Sequence, residues 1–249
     1  MTLVLEIGWT EDATRVAVVD TAARSNVGEG RAAHPQANEG LVEATAWWDA
    51  AVQATRHAVD GLTALGLHAA DVRSVLLAAG EPPGGLVALD AHGAAVHPAM
   101  AGSHQGSGPD ADWLIGQVDG GSDAWLAATD VLPTAGSTVA LLSWLHRSAP
   151  EAWATAARFT LPVGFVLEQL GGEAALSSHD AVGTAVLDHH SGSRWRTELL
   201  AAIDDREWVA ALPRIVPTSE PVGRLSDAGA AELGLPAGLP LHVGGAGLG

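Results

Sequence analysis

The stretch LEIGWTEDATRVAVVD, residues 5–20, constrains the fold more than any other. Leu5 and Ile7, then Val16, Val18 and Val19, are strand formers, and the turn residues Thr10, Glu11 and Asp12 stand between them. Two strands joined this closely form an antiparallel hairpin, with the acid Glu6 at the end of the first strand. Such a hairpin can cradle the phosphates of a nucleotide, and it can equally be only a hairpin. Residues 26–34 read as a third strand beside it.

The rest of the chain alternates helix and strand. Trp47, Ala51, Ala54, Ala58 and Leu62 recur three or four residues apart within a helix over 43–65. VRSVLLAA, residues 72–79, reads as a buried strand that ends at Gly80 and the breaker run Glu81-Pro82-Pro83-Gly84-Gly85. A hairpin is expected over 86–90 and 95–97, then a loop over 101–109. Helices are expected at 111–117, 137–146 and 150–157, a short strand at 159–161 and a helix at 163–170. A turn at 189–193, helices at 195–203 and 205–212 and a tail rich in Pro and Gly complete the pattern. Three antiparallel strands followed by alternating elements predict an α/β domain with a mixed sheet and flanking helices.

Composition narrows the partners. The chain has 249 residues, 47% of them hydrophobic, and carries a formal charge of −17. All 12 basic residues are arginines, scattered from Arg15 to Arg224. Duplex binding depends on clustered cations, so nucleic acid is excluded as a partner. No apolar run approaches the roughly 18 residues of a membrane span, so no membrane partner is expected. Glu6 interrupts the start too early for a secretory signal, and a cytoplasmic protein is expected. With no cysteine there are no disulfides or thiolate metal sites. The 11 histidines include no helical His-x-x-x-His pair with an acid, so zinc is not indicated. Ser177, Ser178, His179 and Asp180 are too close in sequence to form a working triad, and no G-x-S-x-G elbow occurs.

Several strings, in order, resemble one family. These are Trp47-Trp48-Asp49-Ala50, Leu141-Leu142-Ser143-Trp144-Leu145 with Pro150-Glu151, Leu161-Pro162, and Asp180-Ala181-Val182-Gly183-Thr184 with Leu187-Asp188. Ser219-Glu220-Pro221-Val222-Gly223-Arg224-Leu225 and Ala231-Glu232-Leu233-Gly234-Leu235-Pro236-Ala237-Gly238 continue the series. Together they resemble the N-terminal half of the FGGY carbohydrate kinases, the xylulokinases above all. The resemblance implies an actin-like ATPase domain of ribonuclease H-like fold, with Mg-ATP and a small-molecule sugar such as the pentulose D-xylulose as substrates. It also implies a sugar-binding domain over residues 1–240, with 241–249 opening a second, nucleotide-binding domain that follows. Xylulokinase-like proteins commonly pair, so a homodimer is expected too.

The resemblance also says where chemistry belongs, and the residues depart from it. The family's Asp-x-Gly-Thr turn aligns with Glu6, Ile7, Gly8 and Trp9, with Thr10 displaced by one. Glu6 is then the metal ligand, and Gly8 and Thr10 the phosphate contacts, with the bulk of Trp9 where phosphate should approach. Read by itself, Glu6 is a solvated acid. Where family members carry Gly-Gln-Met-His-Gly, Glu81 is the one polar sugar reader left in what is otherwise a rigid loop. The Trp-Asn-Asp motif falls on Gly102, Ser103 and His104, which makes Ser103 and His104 substrate contacts, although His104 alone reads as a surface histidine. The catalytic base aligns with Ser177, a hydroxyl with no accessible pKa near neutrality. Asp180 is the surviving acid, able to act if the turn were re-registered, or to cap the next element together with His179. The closing Gly244 and Gly245 keep the glycines of a phosphate segment and lack its acid. The expected function is a xylulokinase-like kinase with weakened or lost activity; the alternative is an inactive relative serving as a binding or regulatory module.

Overall fold

The computed structural model describes residues 2–10, 12–79 and 84–244. The opening hairpin forms as expected. Strands β1 (Leu3–Trp9) and β2 (Ala13–Asp20) pair antiparallel, with Glu6 opposite Ala17, and β3 (Ser25–Ala33) pairs with β2. There follow β4 (Leu41–Val42), α1 (Thr45–Asp60) and β5 (Val72–Ala78). Helix α1 stops short of residue 65 because the chain tightens at Gly61 into a 3-10 turn, Gly61–Leu65; glycine is a poor residue to propagate an α-helix.

The long segment after β5 holds β6 (Val87–Leu89), β7 (Ala99–Met100), α2 (Gly108–Gly116), α3 (Gly121–Thr129) and α4 (Thr138–Ser148). Next come α5 (Pro150–Thr155), β8 (Arg158–Thr160), α6 (Pro162–Gln169), β9 (Ala175–Ser177) and α7 (Ser178–Val182). The chain continues through α8 (Thr197–Leu200), α9 (Trp208–Ala211), β10 (Arg214–Val216), α10 (Asp227–Leu233) and β11 (Leu241–Val243).

The central sheet has the order β11-β5-β1-β2-β3. Strands β1, β5 and β11 are parallel, so their C-terminal ends share one edge, with Gly8 beside Ala78 and Val243 beside Leu77. One face of the sheet is largely apolar. Leu3, Leu5, Ile7 and Trp9 of β1, Val75 and Leu77 of β5, and Leu241 and Val243 of β11 belong to one buried cluster with Trp47, Ala51, Ala54 and Ala58 of α1. Val166 of α6 and Leu233 of α10 complete this core. A second core fills the inserted segment around Trp125, Leu141, Leu145, Trp153, Phe159 and Trp208.

The structure differs from the sequence expectations in several places. β6 pairs with β8 rather than with residues 95–97, which keep one bridge, Leu89 to Ala95. The Asp90 carboxylate tightens that turn by accepting from the His92 and Ala94 N–H groups. The 101–109 loop contains a 3-10 turn, Gln105–Ser107, and gives way to α2 at Gly108. Helix α3 has no counterpart among the sequence expectations; it opens on Gly121 and buries Trp125, whose Nε1 donates to the Ala185 carbonyl. The expected helices at 195–203 and 205–212 shrink to four residues each. Residues 241–243 form the edge strand of the central sheet, beside β5.

Candidate functional site

The shared edge of the parallel strands is where α/β sheets present ligands, and the structure brings three chain segments together there, the ends of β5 and β11 and the β9–α7 junction. Gly244 leaves β11 with φ +85° and donates its N–H to the Leu77 carbonyl at 2.7 Å. A Cβ at this position would lie 2.5 Å from Ser177 Cβ, so only glycine allows β11 to reach the β9–α7 junction. Ser177 ends β9 and caps α7: its Oγ accepts from the Asp180 N–H at 3.1 Å and donates to Asp180 Oδ2 at 2.8 Å. Asp180 Oδ1 accepts from the N–H of Ala79, just past β5, at 3.0 Å. Ser177 and Asp180 both have zero exposure. Burial lifts the Asp180 carboxyl above its ordinary value, although its bonds to Ser177 and Ala79 pull the other way. Ser177 is therefore the cap that sequence reasoning assigned to His179 and Asp180.

Glu6 is not at a strand end. It sits mid-strand in β1 beside Leu76, half-buried, on the face opposite Leu5 and Ile7. Burial raises its carboxyl above the ordinary value, which corrects the reading of Glu6 as a solvated acid. Trp9 lies on the other face, packed in the apolar core, so its bulk does not stand on the face that carries Glu6 and Gly8. Thr10 turns its hydroxyl into the hairpin, donating to Asp12 Oδ1 at 2.7 Å and approaching the Ala13 carbonyl at 3.0 Å. Glu81 and Gly245 lie outside the described residues. Among the described residues no group of three or more His, Asp or Glu could hold a metal ion. Of the described residues expected at the phosphates, Glu6 and Thr10 are those with polar side chains, and the Thr10 hydroxyl is already bonded within the hairpin.

The sugar-side residues lie in another corner. His104 is 3% exposed, which corrects the expectation of a surface histidine. Its ring meets Trp144 edge to face at 4.6 Å, and its Nδ1 is buried without a hydrogen-bond partner. Burial holds this imidazole below its ordinary value, with His97 acting in the same direction and Asp110 and Glu39 against it. Ser103 is half-buried, and its carbonyl accepts from the Gln105 side chain. Sequence reasoning missed the contact that holds these loops. Gly136, at φ +81°, lies so close to Gly102 that a Cβ would fall 1.7 Å from the Gly102 oxygen, and Gly84 abuts both. The Ser107 hydroxyl fastens the junction, accepting from the Gly136 N–H and donating to the His104 carbonyl. The only signal for it in the sequence was a glycine in each of three separate loops.

This arrangement has known relatives. The N-terminal domain of the FGGY family of carbohydrate kinases matches residues 1–247. The chain belongs to that family, and its fold is the actin-like ATPase fold. Within it, the chain is xylulokinase-like. It is 33% identical over 230 residues to a xylulose kinase of Streptomyces coelicolor and 31% identical over 228 residues to one of Streptomyces rubiginosus. Each match covers 90% of this chain and 44% of the relative, so the chain spans about half the length of the relatives it matches. The crystal structure of xylulose kinase from Rhodospirillum rubrum superposes with a TM-score of 0.82 at 23% identity, covering 98% of this chain and 48% of that one. That likeness bears on the fold.

Proposed function

We propose that the chain is the sugar-binding half of a xylulokinase-like carbohydrate kinase whose transfer of a phosphoryl group from ATP to a pentulose such as D-xylulose is weakened or lost. The observation that carries this reading is the state of Ser177. The position that aligns with the proton acceptor holds a hydroxyl with zero exposure, fixed as a helix cap and hydrogen-bonded to Asp180. Loss of a general base slows transfer roughly 10²- to 10⁴-fold. In this reading Glu6, Gly8, Thr10, Gly244 and Gly245 face the phosphates of Mg-ATP, with Glu6 toward the metal, and Glu81, Ser103 and His104 face the sugar. A second domain completing the nucleotide site, a cytoplasmic setting and a homodimer belong to the same proposal. Among the described residues no helix is long and apolar enough to cross a membrane.

The burial of His104 and the glycine contact at Gly136 favour a second reading, an inactive relative that keeps the fold as a binding or regulatory module. Titration calorimetry of the protein in the form its gene encodes, with Mg-ATP and with D-xylulose separately, tests the two. Heat from both ligands supports the kinase reading, and no heat from either supports the module.

A further inference from the structure

Asp180 is the one acid that survives in the aligned catalytic segment, and its surroundings are not those of a proton acceptor. A general base must reach the hydroxyl it deprotonates. Asp180 has no exposed surface, and both carboxylate oxygens are engaged, Oδ1 by the Ala79 N–H and Oδ2 by the Ser177 hydroxyl. Accepting a proton from a substrate would require breaking those bonds. Capping α7 does not explain the arrangement either, because the Ser177 Oγ already caps that helix. What remains is the bond to Ala79, which joins positions 101 residues apart. Ala79 is the first residue after β5, where the sheet hands over to the segment that aligns with the sugar reader.

We propose that Asp180 is a positioning residue: its carboxylate fastens the end of β5, at Ala79, to the start of α7. The part this plays in turnover rests on the kinase reading; the latch itself does not. Asparagine can make the same connections, since its Oδ1 accepts from Ala79 N–H and its Nδ2 can donate to Ser177 Oγ. Alanine can make neither.

Amide hydrogen exchange by NMR on the chain, wild type beside Asp180→Ala, Asp180→Asn and Ser177→Ala, reads the latch at Ala79. The wild-type amide is expected to be protected. Asp180→Ala should lose at least about tenfold of that protection, the scale of one hydrogen bond to a charged acceptor. Asp180→Asn and Ser177→Ala should keep most of it. An Ala79 amide that exchanges as freely in the wild type as an exposed loop amide, or that Asp180→Ala leaves unchanged, overturns the proposal. A sugar-dependent ADP-release assay adds a second readout. A latch predicts that Asp180→Asn keeps most of the wild-type kcat while Asp180→Ala chiefly raises KM. Equal loss of kcat in both, with Ala79 still protected in Asp180→Asn, would identify a proton acceptor and sink the latch. If the wild type releases no ADP, as a fully lost activity would give, the exchange data alone decide the latch.

Discussion

Two corners of this molecule stand where a sugar kinase needs chemistry, and they are built differently. At the sheet edge, Ser177, Asp180 and Ala79 form a closed network in which both Asp180 oxygens and the Ser177 hydroxyl have partners, with Gly244 seated against Ser177. At the sugar side, three loops meet glycine on glycine, and the buried His104 Nδ1 has no partner. At the first corner, the residues aligned with the family's catalytic segment are buried and hydrogen-bonded to one another. At the second, backbone contacts between glycines hold the loops around a buried histidine. Retention of a frame and retention of a site are separate properties.

The comparison is broken most severely at the glycine junction. Gly136→Ala puts a Cβ into the Gly102 carbonyl at a positive φ. It should cost about 3 kcal/mol or more of folding stability in urea unfolding. A loss under about 1 kcal/mol would mean that the loops part easily. Next comes the sheet-edge network. Asp180→Ala leaves the Ala79 N–H without its acceptor and should cost about 2 kcal/mol in the same measurement, against less than about 1 kcal/mol for Asp180→Asn.

The two corners also respond oppositely to acid. Burial keeps His104 below its ordinary value of 6.5, so the unfolded chain binds a proton there that the folded chain refuses. Its contribution to stability is full above about 6.5 and falls as the pH drops below it. Burial raises Asp180 above its ordinary 3.8, so the folded chain holds that proton more tightly. The Asp180 contribution therefore improves as the pH falls through the raised value toward 3.8, and declines as the pH rises through the same window. His104→Phe removes the unpaired nitrogen. It should stay within about 1 kcal/mol of wild type at pH 7, and unfolding curves at pH 7, 6 and 5 should show less acid loss. An unchanged slope would assign the acid loss to other groups. Thr10→Ala has the smallest effect, about 0.5 kcal/mol, because its hydroxyl closes an exposed turn.

Much of the frame was legible in the sequence, where local pattern and burial agree. The β1–β2 hairpin, the Trp47-Ala51-Ala54-Ala58 stripe and VRSVLLAA all follow their hydrophobic period because each buries one continuous face. Legibility failed where a few long-range contacts decide. Helix α3 opens on Gly120-Gly121 and depends on the burial of Trp125, while β9, β10 and β11 are three-residue strands whose partners lie far along the chain. At the site, alignment located Ser177 and His104 but not their surroundings. The Ala79–Asp180 bond and the approach of Gly136 to Gly102 leave no mark in local sequence. Trp9 shows the opposite error: side-chain size was legible, but strand alternation sends that bulk to the core.

The central claim is that a kinase frame persists while the proton acceptor at Ser177 does not. A coupled ADP-release assay with Mg-ATP and D-xylulose tests it most directly, comparing the protein as its gene encodes it with the xylulose kinase of Streptomyces coelicolor under one set of conditions. Sugar-dependent release roughly 10²-fold or more below that of the relative is the predicted result. Release at a comparable rate would contradict it.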